Sequence, residues 1–316
     1  LVEDYLARMA RYEVLGVPAP PTRRFARRKR VDVPTVTRDV ELSRLADYYS
    51  TRFFSSRAHA LALRLCHLPF GPRTLSLCCG HGVFENLVTG LQFDTHVVSI
   101  DAQLVNLLIA RRYTNPEGTF ILHDVQFPLP FVSGAFDGVF SSTCLPELPA
   151  QKTFIEQSIR VTAANGWSFF DRTWNLEIGA HRIEANRHYR FAQNFFERLE
   201  DYVALFDECA GARRVGIDLA REPYDYAQDP GWAFDDEVAA RMAARESVEL
   251  SALVVADGFG FVEPKLAERF ETAALRVSPA YDAEGKSLHR RSQVAHLEFA
   301  EEGRLEGDVV EQFCRG

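Results

Sequence analysis

The chain has 316 residues, 47% hydrophobic and 25% charged, a composition that excludes a disordered, collagen-like or disulfide-scaffold protein. Its formal net charge of −8 argues against nucleic acid as a partner for the whole surface, because phosphate binding needs clustered Lys and Arg. No apolar run approaches the roughly 18 residues that span a bilayer, and no signal-peptide core follows Leu1, so neither membrane insertion nor export is expected. Of the six cysteines, Cys78 and Cys79 are adjacent while Cys66, Cys144, Cys209 and Cys314 are scattered. That pattern predicts reduced thiols and a cytoplasmic location.

Residues 1–70 read as an N-terminal helical region on the substrate side, divided by Val17-Pro18-Ala19-Pro20-Pro21, where the missing proline amides end any helix. The run Arg23-Arg24-Phe25-Ala26-Arg27-Arg28-Lys29-Arg30 carries six cations. It either meets RNA or an anionic tail, or forms a solvated flank, which the acidic remainder of the chain favours. Apolar positions at Val40, Leu42, Leu45, Ala46, Tyr49 and Phe53 then recur at helical spacing.

Residues 71–173 alternate strand and helix. Leu75–Cys79, His96–Asp101, Thr119–Asp124, Phe136–Ser141 and Trp167–Asp171 are short apolar or β-branched runs of the kind buried on both faces. Between them Val83–Leu91, Gln103–Tyr113 and Gln151–Ala164 have helical patterns, the last stopped by Asn165-Gly166. The alternation predicts a parallel sheet with right-handed crossovers.

Residues 174–246 form an aromatic-rich insertion, expected to be a helical lid over an organic substrate or simply the core of a helical subdomain. In residues 247–316 we expect a helix over Val248–Asp257 ended by Gly258. Strands over Phe261–Val277 and Ser292–Phe299, joined around Asp282–Gly285, then complete the sheet.

The chemistry concentrates in Leu75-Ser76-Leu77-Cys78-Cys79-Gly80-His81-Gly82-Val83-Phe84-Glu85. A buried strand running through glycines into a helix puts backbone amides and a helix N-terminus at the carboxyl edge of the sheet, where open α/β folds bind ligands. The third glycine of a dinucleotide fingerprint is replaced by Glu85, which counts against NAD or FAD. Asp101 ends the next strand, 21 residues beyond Gly80, where a carboxylate meets a ribose diol. His123-Asp124 ends the third strand. Cys78, Cys79 and His81 are not expected to hold a metal, since contiguous residues of a strand alternate faces.

These elements, in this order, resemble the class I S-adenosylmethionine-dependent methyltransferases over roughly Thr74–Asp171. The resemblance implies a Rossmann-like, doubly wound α/β fold whose seven-stranded, mostly parallel sheet includes a C-terminal antiparallel strand. It implies S-adenosylmethionine as cofactor, with S-adenosylhomocysteine as its product. The loop Cys79-Gly80-His81-Gly82 would face the methionine part, Asp101 with Ala102 the ribose, and Asp124 with Val125 the adenine. Ser141, in Phe136-Asp137-Gly138-Val139-Phe140-Ser141-Ser142, would face the transferred methyl. Two positions depart from the family pattern: Ser76 stands where an acid is usual, and Cys78 where a glycine is. Leu145-Pro146-Glu147 also occupies the place of a frequent histidine, so the candidates for handling the acceptor's proton are His181, His188, Tyr189 and Asp171, the last beside Arg172.

The expected function is methyl transfer to O, N or C of a small or medium organic acceptor, of the kind found in specialised metabolism. The rivals are a cofactor-binding regulatory module without transfer, and an RNA or protein methyltransferase that uses the basic run.

Overall fold

The structure, a computed structural model, describes residues 56–174, 198–219, 228–244 and 249–271. The chain divides into two compact units. One comprises Leu1–Leu61, Thr89–Gln92 and Ala267–Gly316, of which few residues are described; the other, Ala62–Val88 with Phe93–Leu266, holds the whole sheet.

The elements in chain order are α1 (Ser56–Cys66), β1 (Arg73–Leu77), α2 (Val83–Gly90), β2 (His96–Asp101), α3 (Leu104–Ile109), β3 (Thr119–Leu122), β4 (Phe136–Ser142), α4 (Gln151–Val161) and β5 (Thr162–Trp174). They continue with α5 (Leu199–Ala210), β6 (Arg214–Asp218), α6 (Asp236–Ala244), β7 (Glu249–Val255) and α7 (Leu266–Glu271). The seven strands are ordered β3-β2-β1-β4-β5-β7-β6, and β7 runs opposite to the other six. From β1 the chain winds outward through β2 and β3, then returns to β4 on the other side of β1. The crevice outside the carboxyl ends of β1 and β4 is therefore the topological switch point, where such sheets take ligands.

Burial explains the strands. Leu75 and Leu77 of β1, Ile100 of β2, Val139 of β4 and Phe170 of β5 lie in one apolar core, which also takes in Leu250, Ala252 and Val254 of β7. Gly138 of β4 lies against the buried Trp167 indole, and a Cβ there would collide with the ring. Trp167 Nε1 donates to the Pro69 carbonyl at 3.0 Å, so the one polar atom of that ring is satisfied.

The C-terminal half corrects the sequence reading in three places. Glu249–Val255 is strand β7, not a helix. Five of its seven residues are apolar, and so short a run carries no periodicity that separates strand from helix; pairing with both β5 and β6 decides it. A further strand, β6, lies inside the stretch read as a helical insertion. Residues 261–271 hold the short helix α7 and no strand, while the expected strand at Ser292–Phe299 falls outside the described residues. Helix α4 also stops earlier than Asn165-Gly166: Thr162 already belongs to β5.

Candidate functional site

The carboxyl edge is organised around Asp101. Cys79 donates its amide to the Ile100 carbonyl at 3.0 Å, laying the end of β1 against β2. Gly80 then donates its amide to Asp101 Oδ2 at 2.9 Å, while Oδ1 accepts the Gln103 amide at 2.8 Å and Asn106 Nδ2 at 3.1 Å. One buried carboxylate thus clamps the glycine loop to the start of α3. The loop closes with Gly82 N to Cys79 O at 3.0 Å and enters α2 with Asn86 N to Gly82 O at 2.9 Å. Gly82 adopts φ +84°, and a Cβ there would strike the Thr114 hydroxyl and Ala110, so this position requires glycine. Cys78 takes φ +54° without being glycine, at the position where the sequence departs from the resemblance.

The end of β3 joins the same edge, His123 donating its amide to the Asp101 carbonyl at 3.1 Å. The Asp124 carboxylate is engaged in its own turn, accepting the Gln126 backbone amide at 3.0 Å and side-chain amide at 3.3 Å. Val125 is part of the core, Ala102 is exposed at the strand end, and His81 is buried in the loop. Ser141 is buried in β4, register partner to Leu77 of β1 and Phe170 of β5. Cys79, Gly80, His81, Gly82, Asp101, Ala102, Asp124, Val125 and Ser141 therefore gather at or just below one edge of four adjacent strands. His181, His188, Tyr189 and the basic run at 23–30 lie outside the described residues.

The residues present fit a sulfonium nucleoside. A carboxylate offers about four lone-pair positions, and Asp101 spends three on N–H groups, leaving capacity for a hydroxyl. Nε2 of His123, at the neighbouring strand end, is buried with no hydrogen-bond partner.

Residues 75–170 match the family model for a methyltransferase domain. Over those residues the chain is similar to methyltransferase domains. Its fold is also that of the methyltransferase chain solved in complex with the Haloferax volcanii Trm112 methyltransferase activator, at 18% identity over 67% of this chain and 93% of that one, with a TM-score of 0.50. A Thermotoga maritima S-adenosylmethionine-dependent methyltransferase aligns at 13% identity over 69% of this chain and 96% of that one, TM-score 0.47. No curated protein sequence matches the chain.

The half of the sheet beyond β4 carries charges that sequence reasoning missed. Arg64 of α1 is buried between Asp171 of β5, at 3.4 Å, and Asp218 of β6, at 3.2 Å. Its guanidinium lies over the Phe169 and Trp232 rings, 4.7 and 4.2 Å from their centroids. Asp171 Oδ2 accepts the Ser142 hydroxyl at 2.8 Å, and Oδ1 accepts Ser251 Oγ at 3.4 Å. Asp171 also pairs with its neighbour Arg172 at 3.8 Å, as one member of this network. A lone arginine inside the apolar stretch Ala60–Leu68 was the available signal; its partners are 107 or more residues away.

The cysteines also differ from expectation. Cys78 and Cys144 are joined as a disulfide across the switch point, and the free thiols among the described residues are Cys66, Cys79 and Cys209. Burial pushes the Cys79 thiol well up, with the Glu85 and Asp101 charges adding to it, so it is not a reactive thiolate. Among the described residues no helix is long and apolar enough to cross a membrane.

Proposed function

We propose that the chain transfers a methyl group from S-adenosylmethionine to an O, N or C nucleophile of a small or medium organic acceptor. The observation that carries this reading is the clamp of Asp101 on the Gly80 amide, which holds the glycine loop beside a strand-end carboxylate in a domain of this family. Cys79, Gly80, His81 and Gly82 would hold the methionine part, Asp101 and Ala102 the ribose, and Asp124 and Val125 the adenine through backbone and apolar surface. When bound, the cofactor supplies a methyl already activated by the sulfonium charge.

The chain's own task is alignment. Fixing a nucleophile at near-attack distance is worth up to about 7–11 kcal/mol of the barrier. Ser141 and Ser142 end β4 beside the switch point, and Asp171 orients the Ser142 hydroxyl. The donors already on Asp171 make it a positioning residue instead of a proton acceptor. His181, His188 and Tyr189 remain the proposed groups for a proton that a hydroxyl acceptor must lose. Aromatic side chains of the 174–246 segment favour an organic acceptor over RNA.

Calorimetry tests the cofactor reading. S-adenosylmethionine should bind, and Asp101→Ala should weaken it about tenfold or more, the scale of one charge-assisted hydrogen bond. Unchanged affinity removes the ribose assignment. Binding with no turnover on a panel of hydroxyl, amine and carbon acceptors would favour the regulatory module, for which the departures at Ser76 and Cys78 speak.

A further inference from the structure

Glu85 is the charged group at this edge that the nucleoside assignment leaves unused. It lies in the first turn of α2, three residues past Gly82, and is fully buried. Its side chain turns to the sheet: Oε1 accepts the Ser99 hydroxyl of β2 at 2.7 Å. Ser99 is the register partner of Ser76 on β1; Ser76 stands one residue short of the end of β1 at Leu77, and Ser99 two short of the end of β2 at Asp101. The Ser76 hydroxyl acts on the same carboxyl from a geometry short of a formed hydrogen bond, so Ser76 Oγ and Glu85 Oε2 are both buried without a partner.

The titratable groups that face Glu85 are Asp101 from β2 and the Cys79 thiol from the loop, with the Ser76 and Ser99 hydroxyls from β1 and β2. Among the described residues no cation acts on it. Burial pushes the Glu85 carboxyl up and the Asp101 charge adds to this, against the pull of Ser99, Ser76 and the backbone. A chain that buries an acid beside a second acid, with one oxygen left bare, has a place for positive charge that its own side chains do not fill.

We propose that Glu85 is a buried countercharge beneath the glycine loop: a cationic sulfonium ligand draws the proton off its carboxyl, while the neutral thioether does not. The inference rests on the cofactor reading above and names its charge chemistry. The step balances as Glu85 carboxylic acid plus ligand cation going to an ion pair, with one proton passing to the buffer. It also accounts for Ser76, since the acid missing from β1 is supplied from α2 against the same serine. Because the sulfonium becomes a thioether on transfer, Glu85 would take its proton back at that point and favour product release.

The experiment is calorimetry on the full chain with S-adenosylmethionine and with S-adenosylhomocysteine, each in buffers of different ionisation enthalpy between pH 5 and 9. S-adenosylmethionine should release up to one proton, its affinity rising by up to about tenfold per pH unit below the Glu85 midpoint. S-adenosylhomocysteine should release none from this group. Glu85→Gln, of the same shape, should bind S-adenosylmethionine without proton release and with a flat pH profile.

Equal proton release in wild type and variant overturns the proposal, as does none in wild type. The carbon-13 shift of the Glu85 carboxyl in the wild-type chain gives the same answer without a variant: its midpoint should fall on adding S-adenosylmethionine, and a fixed midpoint refutes the coupling. A wild-type chain that binds neither ligand refutes the cofactor reading itself. That outcome is distinct from binding without proton linkage.

Discussion

Replacing Asp101 with Asn tests how the loop is held, because the substitution keeps the shape and removes both the charge and one acceptor. Asp101 accepts three N–H groups, from Gly80 on Oδ2 and from Gln103 and Asn106 on Oδ1. An amide presents one oxygen, so it keeps either the Gly80 side or the α3 side and turns an NH2 toward the other. If it keeps the two α3 bonds, the stranded Gly80 amide costs about 1–3 kcal/mol. Charge-assisted bonds are roughly twice as strong as neutral ones, so loss of the charge on the remaining pair adds about 1 kcal/mol. The sum is about 2–4 kcal/mol, a large share of the roughly 5–15 kcal/mol that holds a typical fold. Denaturant unfolding followed by far-UV circular dichroism should show a lower midpoint at unchanged slope. A loss under about 0.5 kcal/mol, at the level of ordinary surface substitutions, would refute the idea that this carboxylate fixes the loop.

Gly82→Ala should cost about 1–2 kcal/mol for the left-handed backbone and about 1–3 kcal/mol for the collision with Thr114 and Ala110, measured by the same unfolding. A neutral effect would mean that the loop relaxes freely. Arg64→Met leaves Asp171 and Asp218 buried without their shared cation and should cost about 3–5 kcal/mol, with Asp218→Asn in that background recovering part of it; a change under about 1 kcal/mol would make the network dispensable. In the ligand-free chain the raised Glu85 carboxyl contributes stability that is fully present at acid pH and is lost as pH rises through its folded midpoint. Glu85→Gln should lack that loss, and parallel stability profiles of the two chains would sink the assignment. Reducing the Cys78–Cys144 bond, which closes a loop with a separation of 66, should lower unfolding stability by about 4 kcal/mol; equal stability with and without dithiothreitol would show that the bond does not form.

The first half of the sheet was legible because β1, β2, β4 and the end of β5 are short runs in which apolar residues mix with small or β-branched ones and lead into glycine, serine or acid, a signal that local sequence carries. Asp101 followed from its distance to Gly80, which the strand-helix-strand geometry sets. What failed was whatever depends on distant partners. β7 is a strand because β5 and β6 flank it, and β6, five residues with Gly216 at its centre, is too short to announce itself in a polar stretch. Glu85 was read only as a misfit for a dinucleotide; that it meets Ser99 across the helix-sheet interface needed coordinates. Cysteine partners, too, are not deducible from spacing.

The sulfur bridge between Cys78 and Cys144 lies where the sheet changes its direction of winding, and it ties the end of β1 to the segment after β4. A seam stitched there sets the gap between the two strand termini, so the ends of β1 and β4 move as one piece whatever the crevice between them holds.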